Sequence, residues 1–114
     1  MGKNISLFGK NKRNLSLMAA CLAEEGYECS IVDNLLDDDL NLADLIIYDG
    51  EILTEDSLAK LPVILREKKS IFFISSCSKN MAAAYRNAGI DLVFSKPISR
   101  TELISIVAAL IGDA

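Results

Sequence analysis

Hydrophobic and polar positions along the chain alternate between two periods. Ile5-Ser6-Leu7-Phe8 reads as a short strand; Asn11 to Glu25 follows with Leu15, Met18, Ala19 and Leu22 on one helical face and Gly26 placed to end the helix. Tyr27 to Val32 alternates as a second strand, and the acidic stretch from Asn34 to Ala43 leaves room for about two helical turns. Asp44 to Tyr48 is apolar enough to be buried on both faces, as parallel strands are. Thr54 to Glu67 reads as a helix broken or restarted at Pro62, whose ring removes a backbone donor and clashes with the preceding turn. Ile71 to Ile74 is a fourth buried strand, followed by a helix that Ser78 caps and Gly89 closes. Ile90 to Phe94 makes a fifth strand. Ser99-Arg100-Thr101-Glu102 then reads as a capping box that opens a last helix, with Leu103, Ile106, Val107 and Leu110 facing inward and Gly112 at its end.

Five such strand–helix units predict an α/β fold: a parallel sheet with helices on both faces, because right-handed crossovers place them there. The flavodoxin-like three-layer (βα)5 sandwich with strand order 2-1-3-4-5 is the expected architecture. At 114 residues the chain is expected to be one domain, 1–114. The longest unbroken apolar run, Leu17 to Ala23, has seven residues, far short of the roughly 18 that a spanning helix needs, so no membrane crossing is expected. A formal charge of −4 gives no general attraction to nucleic acid. Histidine is absent, which removes Ser-His and Cys-His hydrolytic pairs and the commonest zinc ligand. Cys21, Cys29 and Cys77 are odd in number and lack CxxC spacing, which fits a reducing, cytoplasmic setting better than a disulfide framework.

In this architecture ligands meet the carboxyl ends of the strands. Those ends carry Gly9-Lys10, Asp33, Asp49, Ser75-Ser76 and Lys96, so Lys10, Asp49, Ser75 and Lys96 are expected at one mouth. Asp44-Leu-Ile-Ile-Tyr-Asp49, Ile74-Ser75-Ser76, Asp91-Leu-Val-Phe-Ser-Lys96-Pro97 and Glu24-Glu25-Gly26-Tyr27-Glu28 together resemble the response-regulator receiver domain, over essentially the whole chain. The resemblance implies Asp49 as the phosphoacceptor position, Ser75 and Lys96 as partners of phosphoryl oxygens, and a cis bond before Pro97.

The chain departs from that pattern at the metal site. Receiver domains end the first strand in two acidic residues that hold a divalent cation; these positions read Gly9 and Lys10. An aromatic residue usually stands three positions before the lysine, and here that residue is Val93, while Phe94 faces the other side of its strand. Two arrangements of Lys10 are open: a standing ion pair with Asp49, shared with Lys96, or an ammonium pointing into water.

The expected function is therefore an atypical receiver-like module of bacterial two-component signalling. It is expected not to be an enzyme, to have no cofactor, and to act through phosphorylation-independent binding of a protein partner or a second copy. Its expected binding face is the fourth helix, fifth strand and fifth helix, with Lys79, Tyr85, Arg86, Arg100 and Ser105 exposed or, for Tyr85, half-buried. The alternative is a phospho-accepting regulator in which Asp49, the Glu51 carbonyl and Asp33 or the Asp37-Asp38-Asp39 run hold magnesium. On the first reading, Asp49→Asn is expected to lower stability or alter binding, and Gly9→Asp with Lys10→Asp to create magnesium binding.

Overall fold

The computed structural model describes residues 3–9, 11–32, 42–50, 68–74, 79–87, 90, 92–96 and 98–112. Strands β1 (Asn4–Gly9), β2 (Glu28–Ile31), β3 (Leu45–Gly50), β4 (Ser70–Ile74) and β5 (Leu92–Ser95) pair in parallel in the order β2-β1-β3-β4-β5, the order expected from the sequence. The described helices are α1 (Lys12–Glu24), α2 (Lys79–Asn87) and α3 (Arg100–Ile111). The segment Asn34 to Asn41, the helix expected over Thr54 to Glu67 with Pro62, and the expected cap and stop residues Ser78 and Gly89 lie outside the described residues.

The strand starts shift by one or two residues from the sequence reading, and two of the shifts have a hydrogen-bonding reason. Asp44 precedes β3: its backbone N–H donates to the Asn4 carbonyl at 2.8 Å while its carboxylate accepts from the Asn4 N–H at 2.9 Å, so its side chain closes the amino end of the β1–β3 pairing. Ile90 precedes β5, its N–H donating to the Tyr85 carbonyl at 2.9 Å across the exit of α2. At the other end β3 continues through Asp49 and Gly50, placing Asp49 within the ladder opposite Gly9.

The central strands β1, β3 and β4 are buried along nearly their full length, as a sheet covered on both faces requires. One compartment holds Ile5, Leu7, Leu45, Ile47, Ile71 and Phe73 against Leu15 and Leu22 of α1 and Leu103 and Val107 of α3. The other holds Phe8, Ile46, Tyr48, Phe72 and Ile74 against Tyr85 of α2. In α3 the fully buried line is Leu103, Val107 and Ile111; Ile106 and Leu110 pack at its margins, so the stripe is rotated slightly from the expected face. Tyr85 is a larger correction: it is completely buried, because the ring of Phe72 lies directly beneath it.

Capping follows the local sequence. Asn11 accepts from the Asn14 N–H at 3.1 Å and opens α1. Ser99 accepts from the Glu102 N–H at 3.1 Å, and the Glu102 carboxylate accepts from the Ser99 hydroxyl at 3.1 Å rather than from its amide. At the other end of α3, Gly112 takes a left-handed φ of 78°. Its carbonyl accepts from the Tyr27 hydroxyl at 2.7 Å, and the Leu110 carbonyl accepts from the Lys69 ammonium at 2.8 Å. Arg100 pairs with Glu24, tying the start of α3 to the end of α1.

Burial pushes the Cys29 thiol up to about 11 from its ordinary 9.0. Its contribution to stability is full below about pH 9 and is lost as pH rises through about 11. In a variant with Cys29 as sole thiol (Cys21→Ser, Cys77→Ser), reaction with a neutral disulfide reagent at pH 8 should run about a hundredfold slower than for an unperturbed thiol, reflecting the smaller thiolate fraction. A rate within a few-fold of the free thiol would show that the side chain is open to solvent.

Candidate functional site

Parallel pairing brings Gly9, Asp49, Phe73 and Phe94 into one row across β1, β3, β4 and β5. Asp49 shares the face of Leu45 and Ile47, so its carboxylate stands between a residue with no side chain and the aromatic Phe73. Asp49 is 2% exposed. Past the end of β5 the Lys96 N–H donates to the Ile74 carbonyl at 2.7 Å, which extends the β4 pairing by one residue. From that anchor the Lys96 ammonium reaches to 3.3 Å from Asp49 Oδ1. Asp49 and Lys96, expected together from their strand-end positions, do meet. Lys10 and Ser75, together with Asp33, the Asp37-Asp38-Asp39 run, Glu51, Cys77 and Pro97, lie outside the described residues.

The two carboxylate oxygens differ. Oδ1 faces the lysine, whereas Oδ2 is buried and has no hydrogen-bond partner among the described residues. A buried anion with one unmatched oxygen costs stability, and such an atom is a natural acceptor for an incoming donor or cation. Among the described residues the fit for a divalent cation is nevertheless poor. Hard cations take six or more oxygen ligands, and no cluster of three or more Cys, Asp or Glu side chains converges among the described residues. Asp49 contributes one carboxylate, and an ammonium stands beside it.

Position 9 explains part of this deficit. A Cβ placed on Gly9 would collide with the backbone carbonyl oxygen of Asp49, and backbone cannot swing aside as a side chain can. Glycine here lets β1 close on β3 at the mouth, and the same closeness leaves no room for an acidic side chain without separating the strands. The sequence shows the glycine, but the crowding that requires it depends on register.

Across the sheet, Val93 packs in the compartment of Tyr48 and Phe72 while Phe94 meets Phe73 in the other, at 5.8 Å between ring centroids, so the expected split between the two residues holds. Sequence reasoning missed the aromatic row Phe8, Tyr48 and Phe72 one residue behind the mouth; strand parity combined with strand order would have found it. On the expected binding face Arg86, Arg100 and Ser105 are exposed, Tyr85 is not, and the side chain of Lys79 lies outside the description.

Neither a protein-family model nor a curated relative matches the chain. Solved structures do. A response regulator receiver domain protein from Methanospirillum hungatei is similar at a TM-score of 0.77 and 20% identity, covering 96% of this chain and 93% of that one. A candidate pilus assembly protein from Burkholderia thailandensis is similar at 0.78 and 17%, covering 95% and 97%. A response regulator from Burkholderia pseudomallei, solved with a phosphorylated aspartic acid and a calcium ion, is similar at 0.69 and 22%, covering 95% of this chain and 66% of that one.

Two outcomes follow from this geometry. The Lys96 side chain is 26% exposed and that of Asp49 3%, so the ammonium can rehydrate alone and the carboxylate cannot. Lys96→Met should therefore lower unfolding free energy by about 1–3 kcal/mol and Asp49→Asn by less, measured by urea denaturation; the reverse order would mean that Asp49 has other donors. Gly9→Asp with Lys10→Asp, which the sequence suggested would create magnesium binding, should instead lower the denaturation midpoint and leave magnesium titration flat, because position 9 lacks room for a Cβ.

Proposed function

We propose that this chain, which has the receiver-domain fold, serves as a signalling module of a bacterial two-component system and works by binding a protein rather than by metal-dependent phosphoryl transfer. The observation that carries the reading is the Asp49–Lys96 pair beside a Gly9 that has no room for a side chain. Transfer of a phosphoryl group to a carboxylate brings negative charges together, and a cation usually offsets them. Here a tethered ammonium stands beside the carboxylate permanently. It offsets the charge of Asp49 without presenting the oxygen-rich shell a divalent cation requires. On this reading the module is not an enzyme, it resides in the cytoplasm, and its surface is the face of α2, β5 and α3, where Arg86, Arg100 and Ser105 are exposed. A mixed-polarity face of this kind, with Arg86 exposed and Arg100 paired to Glu24, suits a protein partner or a second copy.

A second reading is favoured by one atom. Oδ2 of Asp49, buried and without a hydrogen-bond partner among the described residues, would act as the nucleophile once a donor reaches it: attack on the phosphorus of a small acyl phosphate would form the aspartyl phosphate and release the carboxylate of the donor. Lys96 would then pair with a phosphoryl oxygen. The magnesium ligands it needs would come from residues beyond those described.

The two readings separate in an amide chemical-shift titration with magnesium and then beryllium fluoride, run beside labelling from acetyl phosphate. The expected result is no saturable shift at Asp49 or Lys96 and no incorporated label. Saturable shifts at both residues, with label lost in Asp49→Asn, would establish the phospho-accepting reading instead.

A further inference from the structure

All strand pairings are parallel, so the strand ends opposite the Asp49 mouth also share one edge of the sheet. Lys3, Asp44 and Lys69 each stand immediately before a central strand, β1, β3 and β4 in that spatial order, which brings a lysine to either side of one aspartate. Together with Lys68, Ala43 and Ile111 they line a cavity of about 340 Å³. Ala43 and Ile111 are buried and apolar, whereas Lys3 and Lys68 are half-buried and Asp44 and Lys69 exposed. An apolar inner surface under a charged rim, at this volume, falls at the small end of the range in which small molecules bind.

The rim carries three ammonium groups against one carboxylate, in a chain whose formal charge is −4. Part of that excess has a local use. Lys69 donates to the Leu110 carbonyl at 2.8 Å, as suits a cation at a helix exit, and the Gly112 carbonyl is already held by the Tyr27 hydroxyl. Asp44 is committed as well, its Oδ2 accepting from the Asn4 N–H at 2.9 Å. The Lys3 ammonium differs: it lies beside Gly112 yet makes no hydrogen bond or ion pair with any described residue. Like charges gathered at a partly buried wall repel one another, and an anion in the cavity would offset that repulsion.

We propose that this cavity binds a small organic anion with two or more negative charges, a phosphate ester or a polycarboxylate. Its charged groups would meet Lys3, Lys68 and Lys69, and its body would rest against Ala43 and Ile111. Lysine is a compact point charge that pairs with phosphate and carboxylate oxygens alike, so the rim selects charge and span. The site goes beyond the function proposed above and does not depend on it, since it lies at the other end of the sheet from Asp49. Once filled, it links the starts of β1 and β4 to the exit of α3.

The test is an amide chemical-shift titration of the full chain with pyrophosphate and, separately, with citrate, at ionic strength held constant with sodium chloride and without divalent metal. Saturable shifts are expected at Lys3, Asp44, Lys69 and Ile111, with the Asp49 and Lys96 amides unmoved. Tighter binding of pyrophosphate assigns a phosphate ester, and tighter binding of citrate a polycarboxylate. Lys3→Gln should weaken the better ligand about fivefold or more; Asp44→Asn, whose amide oxygen can still accept from the Asn4 N–H, should tighten it about twofold. Lys68→Gln serves in place of Lys3→Gln if that variant does not fold. Shifts that rise linearly without saturation, saturable shifts centred on Lys12 and Arg13 instead, or an affinity unchanged in Lys3→Gln would overturn the site.

Discussion

A parallel sheet buried on both faces gives each strand residue a choice between two compartments, and pairing register then decides which residues become neighbours in each. That constraint organises the whole mouth of this domain. With Gly9 opposite Asp49 and Phe73 beyond it, the carboxylate enters the compartment shared with α1 and α3. Tyr48, one residue earlier, is sent through the sheet to the compartment beneath α2. The electrostatic site and the aromatic row are two sides of the same strand ends.

The chemistry at the mouth follows from what the packing leaves unsatisfied. A carboxylate is held at 2% exposure with one oxygen facing a lysine and the other facing none of the described donors. Burial makes that arrangement costly, and proteins retain costly polar groups where they serve a purpose beyond stability. Likeness to receiver structures supplies the architecture, not the reaction, since one fold hosts several functions. The proposed change of function rests on Gly9, where the fold leaves no room for an acidic side chain.

Much of the architecture was legible in the sequence because its signals are local: apolar runs at Leu45 to Tyr48 and Ile71 to Ile74, a cap at Ser99, and glycines at 26 and 112. The Asp49–Lys96 pairing was legible too, since strand order alone brings those two strand ends together. What was not legible depends on distances between strands. The crowding of Gly9 against the Asp49 carbonyl, and the complete burial of Tyr85 over Phe72, exist only once register and helix placement are set. The α3 stripe rotated for a related reason: Ile111 is drawn inward where the helix end is held against the base of the sheet by Tyr27 and Lys69.

The tie at the end of α3 also reaches β1. The Lys3 ammonium lies 3.0 Å from where a Cβ on Gly112 would stand, so the start of β1 and the exit of α3 meet at the same edge of the sheet. A change at Lys3 therefore bears directly on the exit of α3, remote from it in sequence, at the end of the sheet opposite Asp49.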